Sequence, residues 1–235
     1  MKTQMKKFLT AITLSMTVTA WAGDYEDGIA AFEKKDFATA TEKFKLAAGQ
    51  GNPTAQFMLG LMYDLGIGAT QDYVEAIRWY QLAADQGNVG AQFALGYMYQ
   101  NGLGTEQDYE QSMRWYKLAA EQGNADAMHS LGVMYSQGLG VRKNNAEALR
   151  WFLLAAEQGY AESQFGIGIM YALGQGVEQD YVKAHMWFNL AAAQGHKKAR
   201  VNRNHVEKRL TPQQLSEAQI LARECVAKDY KDCDY

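Results

Sequence analysis

Residues 53–88 read PTAQFMLGLMYDLGIGATQDYVEAIRWYQLAADQGN, and this stretch decides the fold because the chain repeats it at a fixed interval. Tryptophan marks the interval, since Trp79, Trp115, Trp151 and Trp187 follow one another every 36 residues. A period of this length is typical of stacked units, none of which can bury its apolar face alone. The 235-residue chain therefore predicts one elongated array, whose extended surface favours binding over catalysis.

The first half of each repeat predicts a helix, called helix A here. Ala55, Leu59 and Met62 recur at helical spacing and define one apolar face. Gly60 lies on the same helix, where glycine is unfavourable by roughly 1 kcal/mol relative to alanine. Because a glycine recurs at this position in every unit, we expect close approach of a neighbouring helix. The following Gly-x-Gly, beginning at Gly66, ends the helix and predicts positive φ angles.

The second half predicts a helix B. Asp72 is its N-cap, and Glu75 three residues later predicts a capping box. The apolar stripe of this helix includes the tryptophan and the residue after it. Four such units follow one another, at 53–88, 89–124, 125–160 and 161–196.

Atypical segments flank the four units, as expected for the ends of an array. Residues 23–52 match helix B in register but lack the Gly-x-Gly turn, which predicts an N-terminal capping helix pair. Residues 197–235 predict C-terminal capping helices and a tail. Thr211 and Pro212 begin the last of these helices as N-cap and first helical residue.

The first 22 residues predict a cleavable signal peptide. Three lysines precede a short apolar stretch from Phe8 to Val18, and Ala20-Trp21-Ala22 fits the small-x-small cleavage pattern. Cleavage after Ala22 predicts a periplasmic protein without stable membrane insertion, and secretion beyond the envelope is an alternative. An uncleaved N-terminal anchor is the other interpretation, although the apolar run is shorter than the roughly 20 residues that span a bilayer.

The frame L-G-x-M-Y-x-x-G-x-G-x-x-x-D-Y-x-x-A-x-x-W-Y-x-x-A-A-x-Q-G resembles the Sel1-like repeat (SLR) family, a relative of the tetratricopeptide repeat. The resemblance covers nearly all of the chain that follows the predicted leader. It implies an all-α fold, a right-handed α-solenoid of antiparallel helix hairpins. It also implies use as a scaffold or adaptor in bacterial envelope and signalling complexes.

Helix A offers a candidate partner-binding face on the side away from its predicted core. Three register positions there form rows, which we call the first, second and third rows. In a superhelix of hairpins such rows line the concave wall, where they could bind an extended peptide or a helix of a protein partner. The alternative is that they pack against neighbouring helix B. The candidates are Phe57, Phe93, His129 and Phe165 in the first row, Leu61, Tyr97, Val133 and Ile169 in the second, and Asp64 and Gln100 in the third.

Two cysteines, Cys225 and Cys233, lie near the C-terminus. In an oxidising compartment a pair this close favours a disulfide, which would join the tail to the last helix. Two exposed thiols are the alternative.

Charge and histidine placement predict neither nucleic-acid nor metal binding. The chain has a net charge of −3, and its only basic run is Lys197-Lys198-Ala199-Arg200. The histidines lack metal-ligand spacing, so we expect no metal and no cofactor.

Helix B carries an arginine at one register position in three repeats, at Arg78, Arg114 and Arg150, and Met186 interrupts the series in the fourth. These arginines indicate either a salt-bridged outer face or a basic stripe for an acidic partner.

Catalysis has little support in the sequence, and we predict no catalytic residue. Cysteine-rich exported members of the SLR family are associated with β-lactam binding or hydrolysis, which makes a β-lactamase-like or cell-wall-ligand-binding enzyme the main alternative. Those members have a cysteine pair in every repeat, whereas this chain has one pair outside the repeats. Neither Ser-x-x-Lys nor Gly-x-Ser-x-Gly occurs.

The sequence therefore predicts an exported protein-binding scaffold, adaptor or regulator whose partner it does not identify. A secreted factor that engages host proteins is a further alternative.

Overall fold

The computed structural model describes residues 23–233, and every regular element in that range is an α-helix. The predicted signal peptide, residues 1–22, lies outside the described residues. Helix α1 covers residues 23–33 of the described chain. It is followed by α2 (Phe37–Gly49), α3 (Pro53–Leu65), α4 (Tyr73–Asp85), α5 (Val89–Asn101), α6 (Tyr109–Glu121), α7 (Ala125–Gln137), α8 (Asn145–Ala156), α9 (Ala161–Leu173), α10 (Tyr181–Ala193), α11 (Lys197–Glu207) and α12 (Pro212–Ala227).

The predicted all-α class and its hairpin repeat are confirmed, since each 36-residue unit supplies one helix A and one helix B. Two compact units divide the chain, one ending at Ser112 and the other beginning at Met113 within α6. In the first unit, α2 packs on α3, α3 on α4 and α4 on α5. In the second, α7 packs on α8, and contacts continue in sequence order as far as α11.

Glycine on helix A permits the tight packing within each hairpin. A Cβ on Gly60 would lie 2.6 Å from Cδ1 of Tyr80, and a Cβ on Gly132 would lie 2.5 Å from Cδ1 of Phe152. The close neighbour is thus the aromatic ring of helix B in the same repeat. These rings are almost fully buried, so large side chains on helix B fill the space that glycine leaves on helix A.

The capping boxes predicted for helix B are wrong in one respect. Asp72 does cap α4, because its side chain accepts from the backbone N–H of Val74 and Glu75. Its own N–H, however, already donates to the carbonyl of Tyr63 at 2.9 Å. Glu75 is therefore free to accept hydrogen bonds from Arg78 and Trp79. A complete box forms at α12, where Gln214 accepts from the N–H of Thr211.

The C-terminal helix α12 covers the outer face of α10. Met186, Trp187 and Leu190 are at most 3% exposed, and they share one apolar cluster with Ala222 and Cys225 of α12. One repeat earlier, Arg150 at the position of Met186 is exposed to solvent. The interruption of the arginine series therefore marks the place where the capping helix lies.

A disulfide joins Cys225, in the last turn of α12, to Cys233 in the tail, with a Cα–Cα distance of 5.1 Å. Both cysteines are buried. The loop that they close includes Tyr230, whose ring would lie 3.4 Å from a Cβ on Gly159 in the turn between α8 and α9. The disulfide thus holds the tail against the end of the third repeat.

Candidate protein-binding face

The first row of helix A packs partly inward. The Phe57 ring lies 5.8 Å from the ring of Tyr80, and a Cβ on Gly90 of the next helix A would lie 2.9 Å from Phe57 Cζ. In the second unit, the Phe165 ring lies 5.7 Å from Phe188 and stacks on His196 at 4.4 Å. These half-buried rings fill the space between helix B and the next helix A. Much of the first row therefore serves packing, the alternative that the sequence left open.

The second row is the more accessible one. Tyr97 exposes 50% of its surface, whereas Leu61 in the same unit is half-buried. In the second unit, Val133 and Ile169 are half-buried and contact the core cluster through one side. Each repeat thus presents one apolar side chain to solvent from this register position.

The third row contains a polar pair. The hydroxyl of Tyr80 donates to Oδ2 of Asp64 at 3.1 Å. Burial raises the pKa of Asp64, while the hydrogen bond from Tyr80 opposes that rise. Burial beside the Asp64 carboxylate in turn raises the pKa of Tyr80. The fourth repeat cannot form this pair, because Ala172 and Phe188 occupy the two positions there. Gln100, the remaining third-row candidate, is half-buried.

His129 forms an interior contact that sequence reasoning missed. Its Nδ1 lies 2.9 Å from Oγ of Ser163, a residue with no exposed surface. The imidazole lies between the rings of Phe152 and Tyr160, at 5.4 and 5.3 Å. Burial lowers the pKa of His129, and the carboxylates of two acidic residues nearby oppose that shift. Since Ser163 is inaccessible to a substrate, the pair is a packing contact rather than a nucleophile and base.

A signal for this pair was present in the repeat frame. Ser163 replaces the alanine found at 55, 91 and 127, and His129 replaces the phenylalanine found at 57, 93 and 165. Two polar departures at positions that meet between adjacent repeats predict a hydrogen bond.

Two of the three outer arginines, Arg78 and Arg150, form ion pairs within helix B. Arg78 donates to Glu75 and lies over the ring of Trp79, with 4.5 Å between the guanidinium carbon and the ring centroid. Arg150 makes the corresponding ion pair with Glu147. These residues follow the salt-bridged interpretation of the series rather than forming a free basic stripe. Such exposed pairs are worth little to stability.

Between residues 23 and 233, no group of three or more histidine, cysteine or acidic residues is placed to hold a metal ion. No helix in the same range combines the length and apolar character that crossing a membrane requires.

These observations define a class of protein: tandem α-hairpins, each with an accessible apolar side chain on its helix A. The chain belongs to the Sel1 repeat family, whose model matches residues 53–88, 89–124, 125–160 and 161–196. Sel1 repeats typically mediate protein interactions, and proteins built from them are typically non-catalytic scaffolds. No curated protein matches the chain.

Solved structures that are similar to the chain include the following two. A protective antigen present in uropathogenic Escherichia coli strains, which displays an SLR fold, is 32% identical with a TM-score of 0.79. The match covers 92% of this chain but 47% of that protein, so this chain spans about half of its length. A Sel1 repeat protein from Oxalobacter formigenes is 34% identical with a TM-score of 0.72, and the match covers 76% of this chain and 74% of that one.

Proposed function

We propose that this protein is an exported scaffold or adaptor that binds protein partners through the helix-A faces of its repeats. One observation carries the proposal: a hydrophobic side chain remains accessible at the same register position in four consecutive repeats. These second-row residues are Leu61, Tyr97, Val133 and Ile169. Each keeps part of its apolar surface accessible, and Tyr97 keeps half of its surface, so the row offers apolar surface that a partner could cover.

Tyr97 is the strongest anchor of this face. Half of its surface is free to be covered, and tyrosine is among the residues that contribute most to binding energy at protein interfaces. Asp64 and Gln100 in the third row add polar groups that would select among partners. The resemblance to an E. coli protective antigen is in line with export, which the first 22 residues predict.

The substitution Tyr97→Asp tests the proposal. We expect recovery of crosslinked envelope proteins on the purified protein to fall about tenfold or more, because an apolar anchor becomes a charge. Tyr97→Phe should retain binding. Leu82→Asp, at a residue 41% exposed on helix B, is the matched control and should also retain it. Quantitative mass spectrometry of the captured proteins gives the measurement, and an equal loss with Leu82→Asp would contradict the assignment of the face.

Export has its own test. N-terminal sequencing of protein from the periplasmic fraction should begin at Gly23. An intact Met1 on protein confined to the cytoplasm would contradict the proposed location.

A further inference from the structure

A pocket of about 410 Å³ lies in the second unit among α9, α10 and α11. Its apolar wall includes Ile169 and Leu173 of α9, Phe188 of α10 and Val206 of α11. Ile169 belongs to the second row, so the pocket opens beside the proposed partner-binding face. Volumes of roughly 300–1,000 Å³ are typical of ligand pockets.

A cationic side chain, Arg209, lies at the rim of this pocket. The Arg209 guanidinium donates to the hydroxyl of Tyr181 at 3.0 Å and lies 5.3 Å from the centre of that ring. His205 and Asn202 also line the rim, and no acidic residue lines the pocket. Arg209 makes no ion pair within residues 23–233, so the rest of its N–H groups are available to a carboxylate.

The charge extends beyond the rim. Residues 197–209 contain six lysines and arginines but one acid, Glu207, in a chain whose net charge is negative. Glu207 does not line the pocket, and its carboxylate lies 3.8 Å from His185 of α10. None of the six cations forms a salt bridge with a carboxylate in the part of the chain that the structure describes. The α11 surface is therefore complementary to an acidic partner.

The fourth repeat differs from the first at two positions that line the pocket. In the first repeat the equivalent positions hold Asp64 and Tyr80, which bond to each other, whereas the fourth repeat has Ala172 and Phe188. Phe188 keeps the packing of Tyr80, since a Cβ on the facing glycine would lie 2.6 Å from either ring. The fourth repeat thus has neither the carboxylate nor the hydroxyl at these positions, and the pocket is apolar there beside an arginine that makes no ion pair within residues 23–233.

We infer that this pocket and α11 bind an acidic segment of a partner protein, with one large apolar side chain inserted into the pocket and its flanking carboxylates paired with Arg209 and the α11 cations. This inference rests on the proposed function and assigns a partner chemistry to one end of the repeat array. An apolar anchor alone would leave the cations unused, and an acidic segment alone would leave the pocket empty.

The probe is a fluorescein-labelled synthetic peptide with blocked ends and the sequence Asp-Glu-Glu-Phe-Glu-Glu-Asp. Fluorescence anisotropy with the full chain should show saturable binding that weakens as the NaCl concentration rises from about 50 to about 500 mM. Replacing the phenylalanine of the peptide by serine should weaken binding about tenfold or more, since the buried ring is lost. Replacing its carboxylates by amides should also weaken it about tenfold.

The double variant Ala172→Asp/Phe188→Tyr reproduces the pair of the first repeat and should weaken peptide binding at least tenfold while retaining the melting temperature. Arg209→Gln, at an exposed residue, provides a second variant that leaves the core untouched and should also weaken binding. Lys117→Gln, at an exposed lysine of α6 away from the pocket and α11, is the matched control for charge and should change affinity less than about twofold.

Equal binding of the phenylalanine and serine peptides, unchanged affinity in both pocket variants, or equally strong competition by a single-stranded oligonucleotide would overturn the inference. If the peptide does not bind while Tyr97→Asp still abolishes partner capture, the inference fails and the scaffold function stands. If the peptide binds but Tyr97→Asp has no effect on capture, the pocket stands and the wider binding face fails.

Discussion

His129 shows how a substitution in one repeat is compensated in the next. A polar ring at a position otherwise held by phenylalanine would leave a buried nitrogen unsatisfied. The chain supplies Ser163 where the other repeats have alanine, and its hydroxyl lies 2.9 Å from the imidazole. The two departures from the repeat frame thus occur as a pair, because the two positions are in contact.

This pair predicts an acid-sensitive contribution to stability. Burial lowers the pKa of His129 in the folded chain. Below about pH 6.5 the unfolded chain therefore binds more protons than the folded chain, and the free energy of unfolding decreases as the pH is lowered. The variant His129→Phe/Ser163→Ala restores the frame of the other repeats and removes this proton linkage. Urea denaturation at pH 7 and pH 5 should show a smaller loss of stability in the variant than in the parent.

Part of the acid dependence should persist in that variant, because burial also lowers the pKa of His185. The same pH dependence in parent and variant would show that His129 does not contribute.

At the scale of the element, the hairpin depends on a ring of helix B fitting over a glycine of helix A. The sequence predicted a close approach at Gly60 but not which helix makes it. Helical phase identifies a face of helix A, whereas the partner of that face depends on hairpin geometry. The same limitation explains the error for the first row. Its helical phase predicted a position away from the core, but its rings pack between helices.

Gly60→Ala should destabilise the first unit by roughly 1–3 kcal/mol, because the new Cβ would lie 2.6 Å from the Tyr80 ring. Gly49→Ala is the matched control in the same unit. No atom lies within 4 Å of a Cβ there, so it should be neutral or stabilise the helix by up to about 1 kcal/mol. Chemical denaturation of both variants measures the difference, and similar values for the two would contradict the role of the ring.

At the scale of the whole molecule, the period carried most of the predictive information. The sequence frame that recurs around four equally spaced tryptophans was enough to predict the all-α class, the hairpin and the register of the core residues. The sequence predicted α12 as a capping helix that begins at Thr211 and Pro212, but it did not predict which surface the helix covers, although Met186 in place of an arginine was the signal. The pocket at α11 was not predicted either, because it depends on residues from three helices whose arrangement no local pattern specifies.

Ending the chain before Thr211 tests the importance of the C-terminal cap. Removal of α12 would expose Met186, Trp187 and Leu190, each worth roughly 1.5–3 kcal/mol of burial. We expect a large fall in melting temperature, with aggregation detected by light scattering. The variant Cys225→Ser/Cys233→Ser keeps α12 and should lose about 2.5 kcal/mol by the chain-entropy estimate for so short a loop. A truncated chain that melts like the parent would contradict the capping role.

Coverage of α10 by α12 has a consequence for the growth of such proteins by duplication. A copied unit inserted upstream of residue 161 leaves the covered surface unchanged, because each earlier helix B keeps its solvent-facing arginine or its equivalent. A unit appended after residue 196 would instead leave Met186 facing water and place an arginine under α12. New units are therefore tolerated within the series and disfavoured at its C-terminal end, and a methionine in the arginine register identifies the repeat that must remain last.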